Sequence, residues 1–370
     1  MVDIAIIKAR NQTFFMLSMF KKMILVVGVA TLLSGCSVKV PINTLSATGG
    51  SLWKSEDGGD TFKPKVKVDE KRTIASADVL SLAIHPTNSD ILYIGTMAGG
   101  LFRTRDAGEV WEPIVFPPTK NYGLAIDPTN GDHIYASGIY EEVGKIYRSD
   151  DAGANWKEVY TEPGKGTVVT ALTIHPNQPN TLYAGTSEGV IIKSLDGGET
   201  WKNLTKAKGP VSRIFAERLS PQSLFAVIFN QASISSADGG NTWVDYATQA
   251  QQISSINNRP QGAVSGAEDP LQAGVFYVSG KNGLFRTADY GKTWSPINII
   301  ESAKKFPIRA IVVNPKNSNE ISFASGKAFY KSNDGGVKWN TTQLEIDKGV
   351  SIIMYDPQNP AKIYFTTRKF

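Results

Sequence analysis

The sequence predicts an all-β chain folded as a seven-bladed β-propeller. Three observations predict it. One turn motif recurs seven times, a second motif alternates with it, and the step between copies stays between 42 and 51 residues. A self-similar period of this length marks a repeat architecture, and four short strands per period make one propeller blade.

The first motif reads Ser/Thr-x-Asp-x-Gly-x-x-Trp/Phe, beginning at Ser55, Thr104, Ser149, Ser194, Ser236, Thr287 and Ser332. Its carboxylates are Asp57, Asp106, Asp151, Asp196, Asp238, Asp289 and Asp334. It ends in Phe62, then Trp111, Trp156, Trp201, Trp243, Trp294 and Trp339, which spends six of the seven Trp on one position. Each component has a local physical task. Asp accepts hydrogen bonds from backbone N–H groups of its own turn. Gly supplies a positive φ without steric cost. The aromatic buries a large apolar area between neighbouring hairpins. A catalytic site is usually made once, and this element is made seven times, so its residues are expected to be structural.

The second motif is Ala83-Ile84-His85-Pro86-Thr87-Asn88, then Leu92-Tyr93 and Gly95-Thr96, with variants around Asp127, His175, Asp269, Asn314 and Asp356 and a degenerate copy between Phe215 and Val227. Apolar runs flanking a turn cluster read as a β-hairpin. The chain opens with a first-motif hairpin (50–68) and closes with a second-motif hairpin (350–370). Each is half a blade. Seven of each balance only if the N-terminal strands form the outer half of the blade whose inner strands come from the C-terminus. That closure removes free sheet edges. The residue before the first motif is basic in six copies (Lys54, Arg103, Arg148, Lys193, Arg286, Lys331), which reads as a solvated ring.

The motif residues resemble the Asp-box, or bacterial neuraminidase repeat, over residues 51–370. Families with this repeat include sialidases, xyloglucanases, sortilin-type receptors and the photosystem II stability/assembly factors. A single propeller with blades near 45 residues is most similar to the last group and more distantly to sortilin-type and xyloglucanase propellers. The resemblance implies a non-enzymatic scaffold or assembly factor whose carboxylate turns lie away from the working face. It also implies an alternative, a glycan-binding or glycoside-hydrolysing propeller. Sialidases carry six blades and an Arg-Ile-Pro motif that is absent here, where Phe306-Pro307-Ile308-Arg309 runs in another order. Xyloglucanase-type enzymes place two Asp between two propellers, and this chain has one. Glu141 and Glu142, in what reads as an enlarged loop (137–144), are the carboxylate pair for the hydrolytic alternative, with Glu217 in the degenerate copy.

The N-terminus reads as an address. Lys21-Lys22 precede an apolar run from Met23 to Leu33, which is too short to span a bilayer. The run ends in Leu33-Ser34-Gly35-Cys36, which resembles a bacterial lipoprotein box, and Cys36 is the single Cys. The expected organisation is a signal peptide (1–35), a lipidated Cys36 with a tether (36–50), and the propeller (51–370). Translation is expected to start at Met16 or Met19. The location is the cell envelope, and the outer membrane if the organism is Gram-negative, because Ser37 rather than Asp follows the Cys.

Composition narrows the chemistry. With 41% hydrophobic and 20% charged residues the 370-residue chain is a folded globule. The net charge of +5 is concentrated at the N-terminus; beyond residue 35 there are 35 cations and 33 anions, which does not describe a nucleic-acid binder. One Cys and three His leave no thiolate cluster and little room for a His-rich metal site. The His share turn positions with Asp and Asn, so they read as turn caps. No nucleophile elbow, Walker loop or dinucleotide fingerprint stands in a credible setting, and no cofactor is expected.

The loops between blades all carry cations. Those proposed to meet a partner are Arg72, Lys206, Lys208, Arg213, Arg259, Lys304, Lys305 and Arg309. Converging charge on a concave face steers an oppositely charged ligand. The long loop 247–262 is expected near the contact. The expected partner is an envelope or membrane-associated protein with an acidic surface, bound by a monomeric propeller.

Overall fold

Each period of the sequence becomes one antiparallel sheet. The computed structural model describes residues 49–246, 259–300 and 302–370. The signal segment, Cys36, the tether up to residue 48 and residues 247–258 of the long loop lie outside the described residues.

The chain opens with β1 (Leu52–Ser55) and β2 (Lys63–Pro64). Blade one is β3 (Val79–Ile84), β4 (Leu92–Thr96), β5 (Leu101–Thr104) and β6 (Glu112–Ile114). Blade two is β7 (Lys120–Ile126), β8 (Ile134–Tyr140), β9 (Val143–Ser149) and β10 (Lys157–Lys165). Blade three is β11 (Val169–His175), β12 (Gln178–Thr186), β13 (Val190–Ser194) and β14 (Lys202–Lys206). Blade four is β15 (Val211–Ala216), β16 (Leu224–Ile228) and β17 (Ser233–Ser236). Blade five is β18 (Ser265–Glu268), β19 (Phe276–Gly280), β20 (Gly283–Thr287) and β21 (Ser295–Ile297). Blade six is β22 (Ile308–Asn314), β23 (Asn317–Ser325), β24 (Ala328–Ser332) and β25 (Asn340–Gln343). The last strands are β26 (Gly349–Tyr355) and β27 (Ile363–Arg368).

Blade seven joins the two ends in the order β2-β1-β27-β26. Trp53 pairs with Phe365 and Lys54 with Tyr364 across that junction. The first strands of successive blades pack on one another around the axis, and β26 packs on β3. The second strands, such as Leu92–Thr96 and Leu224–Ile228, are buried along their whole length. They lie between two neighbouring sheets, which is why they read as continuous apolar runs rather than alternating ones. Outer strands such as Lys202–Lys206 and Asn340–Gln343 are largely exposed and polar.

Small residues let the inner strands close on the axis. A Cβ on Gly95 would stand 1.7 Å from the Asn121 Oδ1 and 2.3 Å from the Ser81 Oγ, two buried groups hydrogen-bonded to each other across blades one and two. Gly95→Ala is therefore expected to lower stability by about 1–3 kcal/mol, the usual cost of overpacking, read as a fall in the denaturation midpoint.

Seven turns repeat one geometry. The Ser/Thr hydroxyl donates to the Asp Oδ1, as from Ser149 to Asp151 at 2.8 Å, and accepts the Gly N–H, as from Gly153 at 2.8 Å. The same Asp Oδ1 accepts the N–H four residues on, as from Asn155 at 2.8 Å. Trp111 is buried and its indole donates to the Lys65 carbonyl of the adjoining blade at 2.9 Å. Trp156, Trp201, Trp243, Trp294 and Trp339 are half-buried.

Three expectations need correction. The basic residues ahead of the turns are not a solvated ring. Arg103, Arg148, Lys193 and Lys331 each reach the next blade's turn, donating to the carbonyls of Ala152, Gly197, Gly239 and Gly58. Their partners lie 46 to 49 residues away in sequence, and 273 away for Lys331, so local pattern does not show them. Residues 137–144 form no enlarged loop; β8 and β9 pair as far as Tyr140 and Val143, leaving Glu141 and Glu142 as a two-residue turn with positive φ at both. Blade four has three strands rather than four, and the single bridge between Ser235 and Val244 stands where other blades carry an outer strand.

Candidate ligand-binding face

In every blade the carboxylate turn and the second-motif turn fall on one face. The loops between hairpins and between blades fall on the other. The second-motif turns are closed by their own side chains. Asp127 accepts the N–H groups of Thr129 and Asn130, while His85 Nδ1 accepts those of Thr87 and Asn88 at 3.3 and 3.1 Å. These groups are occupied in holding corners.

The expected partner residues are spread over several positions toward the opposite face. Lys206, Lys208 and Arg259 line a cleft of about 490 Å³ beside Trp243, at the three-stranded blade. Lys208 lies 3.8 Å from Asp245, and Arg259 donates to the Tyr246 carbonyl at 3.2 Å. Lys304 and Lys305 are exposed on the turn leading into β22, with the Lys305 ammonium 5.3 Å from the Phe306 ring centre. Arg72 is engaged within its own loop, where Asp69 pairs with it at 2.6 Å.

Arg213 and Arg309 are not loop residues. They lie on the innermost strands β15 and β22, where Arg213 is exposed and Arg309 half-buried. Arg213 occupies the column that is Ser81, Gly123, Ala171, Ser265, Ala310 and Ile352 in the other six blades, as fixed by strand register. It is crowded by surrounding protein yet remains solvent-accessible. Burial lowers its pKa, and the nearby Arg368 charge lowers it further.

Arg368, on β27, completes the group, and the sequence does not single it out. Burial lowers its pKa, Arg309 adds to that, and Asp78 opposes it. Asp78 is already engaged, 3.3 Å from the Lys348 ammonium and accepting the Lys369 N–H at 2.9 Å. The Phe370 ring lies between two guanidiniums, 3.9 Å from Arg309 and 4.4 Å from Arg368. Such stacking fixes the planes of both forks. The Arg368 Nε is buried with no hydrogen-bond partner among the described residues. Beneath Arg309 a crevice of about 120 Å³ runs between blades six and seven.

A carboxylate ends one inner strand, where Glu268 closes β18. Glu268 stands in the column that is Ile84, Ile126, Ile174 and Val313 elsewhere. Burial, with Glu217 and Asp269 nearby, raises its pKa to about 7, against the pull of Arg218. Glu217 is a structural tie. It is buried and accepts the Gly274 N–H at 2.8 Å and the Tyr290 hydroxyl at 2.6 Å. Comparing blades within the chain would reveal Arg213 and Glu268, each a charged residue in a column of small or apolar ones. Glu141 and Glu142 sit on a hairpin tip where Glu142 pairs with Lys165 at 3.3 Å.

This architecture defines the chain as a seven-bladed propeller with a basic axial mouth. The family model described as Sortilin, neurotensin receptor 3 matches residues 144–263. Among curated proteins none matches the sequence. Similar solved structures fall into two groups. One holds the GH74 xyloglucanase from Xanthomonas campestris (TM-score 0.65, 17% identity, 85% of this chain and 52% of that one) and the GH74 enzyme from Niastella koreensis (0.62, 19%, 79% and 51%). The chain thus spans about half the length of these enzymes. The other holds YCF48 from Cyanidioschyzon merolae (0.61, 15%, 79% of this chain and 96% of that one). These likenesses establish the propeller fold.

Proposed function

We propose that this protein is a lipid-anchored binding scaffold of the cell envelope. It holds an acidic segment of a membrane-associated protein, as an assembly factor does, and performs no reaction on it. The observation that carries the reading is the convergence of Arg213, Arg309 and Arg368 at the axial mouth, with the Arg368 Nε left unpartnered. Like charges brought together in a concave, partly desolvated site repel unless an anion joins them. A carboxylate accepts from guanidinium forks bidentately, so an Asp- or Glu-bearing polypeptide fits the chemistry. A related structure, YCF48 bound to D1 peptide, supports peptide binding on this fold (TM-score 0.57, 16% identity).

The glycan reading draws on the GH74 likeness, but its candidate carboxylates support it poorly. Glu141 and Glu142 are adjacent on a two-residue turn, where a hydrolase needs carboxyls facing each other across a cleft. The test is binding of an Asp/Glu-rich peptide to the full lipoprotein, with a parallel screen on β-glucans and sialosides. Arg213→Gln and Arg309→Gln are each expected to weaken peptide binding about tenfold or more, because a charge-assisted hydrogen bond contributes about 1.5–3 kcal/mol. Glycan turnover together with no peptide binding would contradict the proposal.

A further inference from the structure

Blade four carries an unpaired sheet edge. Ser235 exchanges both backbone hydrogen bonds with Val244, at 3.1 and 2.8 Å. Backbone groups two residues apart on a strand point the same way, so the N–H and C=O of Ser233 face outward as well. They have no partner among the described residues. In blades one, three, five and six the same column is Leu101, Ile191, Leu284 and Phe329, all buried. There it pairs with Ile114, Thr205, Ile297 and Thr342 of the outer strand. In blade four a small, half-buried Ser233 stands in its place. Other blades end in an outer strand guarded by Lys or Pro, as at Lys63-Pro64, Glu112-Pro113 and Ser295-Pro296. The β17 sequence, Ser233-Ile234-Ser235-Ser236, has neither guard.

Beside this edge lies the cleft of about 490 Å³. Ile234, Ala207 and Trp243 give it an apolar wall. Lys206 and Arg259 also line it, and Asp245 is its one carboxylate among the described residues. Residues 202–213 hold Lys202, Lys206, Lys208 and Arg213 and no acid. A strand added at the edge would alternate its side chains between the two sides of the sheet. Ile234 marks the cleft side; Ser233, on the other side, shares a small crevice with Arg259 and with Trp294 of blade five. We infer that β17 is a strand-addition site whose ligand is an extended polypeptide segment of alternating apolar and acidic residues. Its backbone pairs with Ser233 and its apolar side chains cover Ile234 and Trp243. Its carboxylates face Arg259, and the exposed Lys202 and Lys206 of β14 add longer-range attraction. The site is separate from the arginine mouth and does not rest on the function proposed above.

The probe is a synthetic peptide of alternating Val and Glu, added to the full chain and followed by hydrogen–deuterium exchange. The Ser233 amide is expected to exchange rapidly in the free protein and roughly tenfold more slowly with the peptide saturating. The fully N-methylated peptide, which has no N–H to pair, is expected not to bind. Ser233→Pro removes an N–H that bonds nothing in the fold. That variant should fold, keep Asp/Glu-rich peptide at the arginine mouth, and bind the Val/Glu peptide about tenfold more weakly. Lys206→Glu, at an exposed position, is expected to weaken the Val/Glu peptide several-fold and to strengthen a Val/Lys one. Slow exchange of Ser233 in the free protein would show the edge already paired, within the chain or with a second copy, and would overturn the inference. Equal binding of the N-methylated peptide would overturn it too, as would protection that omits Ser233. A purely Asp/Glu-rich peptide forms strands poorly and is expected to leave Ser233 unprotected. If that peptide binds nowhere while the Val/Glu peptide protects Ser233, the function proposed above fails and the strand-addition site stands.

Discussion

Phe365→Ala is expected to lower stability by about 3–5 kcal/mol, the range for deleting a buried aromatic side chain. Phe365 is fully buried on β27, in the blade that joins the two chain ends. Its ring stacks on Trp53 with centres 5.8 Å apart and meets Phe62 edge-on at 4.9 Å. Phe62 also packs edge-on against Phe329 of blade six at 5.0 Å. One substitution therefore removes ring contacts to β1 and to the turn between β1 and β2, and loosens the Phe62 ring that packs on the neighbouring blade. Val337→Ala, at an exposed turn position, is expected to stay within about 0.5 kcal/mol of the parent. Chemical denaturation of both variants measures the difference. If Phe365→Ala behaved like Val337→Ala, the closing blade would not be contributing to stability.

Acid should weaken the ring progressively. Hydrogen bonds hold the carboxyl pKa of Asp151, Asp196 and Asp238 at about 2, below the ordinary 3.8. For Asp151 the Asn155 side chain is the largest cause; for Asp196 and Asp238 it is the hydroxyls of Thr200 and Thr242. A folded-state pKa below the unfolded one gives stability that is full above the unfolded value and lost as pH falls through the folded value. The window therefore runs from about pH 4 down to about pH 2. Asp151 and Asp196 are exposed and Asp238 is partly so, and each contributes modestly, but protonation releases several turns in the same window. Thermal melts across that range should fall progressively, and a double Asp151→Asn, Asp196→Asn variant should show a shallower decline. A melting temperature unchanged down to about pH 2 would contradict the role assigned to these turns.

How much of this was readable from sequence follows from how local each interaction is. The carboxylate turns close within five residues, so Ser149, Asp151 and Gly153 declare their geometry in one short string. Closure was readable for a different reason, since two half-blades at opposite ends leave one consistent pairing. The cations ahead of the turns were misread because Arg103 finds its partner at Ala152, across a blade boundary. The three-stranded form of blade four was also hidden, because the motif that normally precedes an outer strand is intact at Ser236–Trp243. The axial site was half-readable. Arg213 and Arg309 stand out as cations, but a loop placement followed from local pattern, and only strand register puts them on the axis. Arg368 has no motif of its own; its place beside Arg309 and Phe370 exists only once the ring is closed.

The account separates two faces by task, corners on one and ligand on the other. Hydrogen–deuterium exchange of the full lipoprotein, with and without a saturating Asp/Glu-rich peptide, tests that division directly. Slowed exchange confined to β15, β22, β27 and the loop between β2 and β3, with the seven carboxylate turns unchanged, is the predicted result. Protection concentrated at the turns around Asp57, Asp151 or Asp196, with the arginine-bearing strands unaffected, would contradict it.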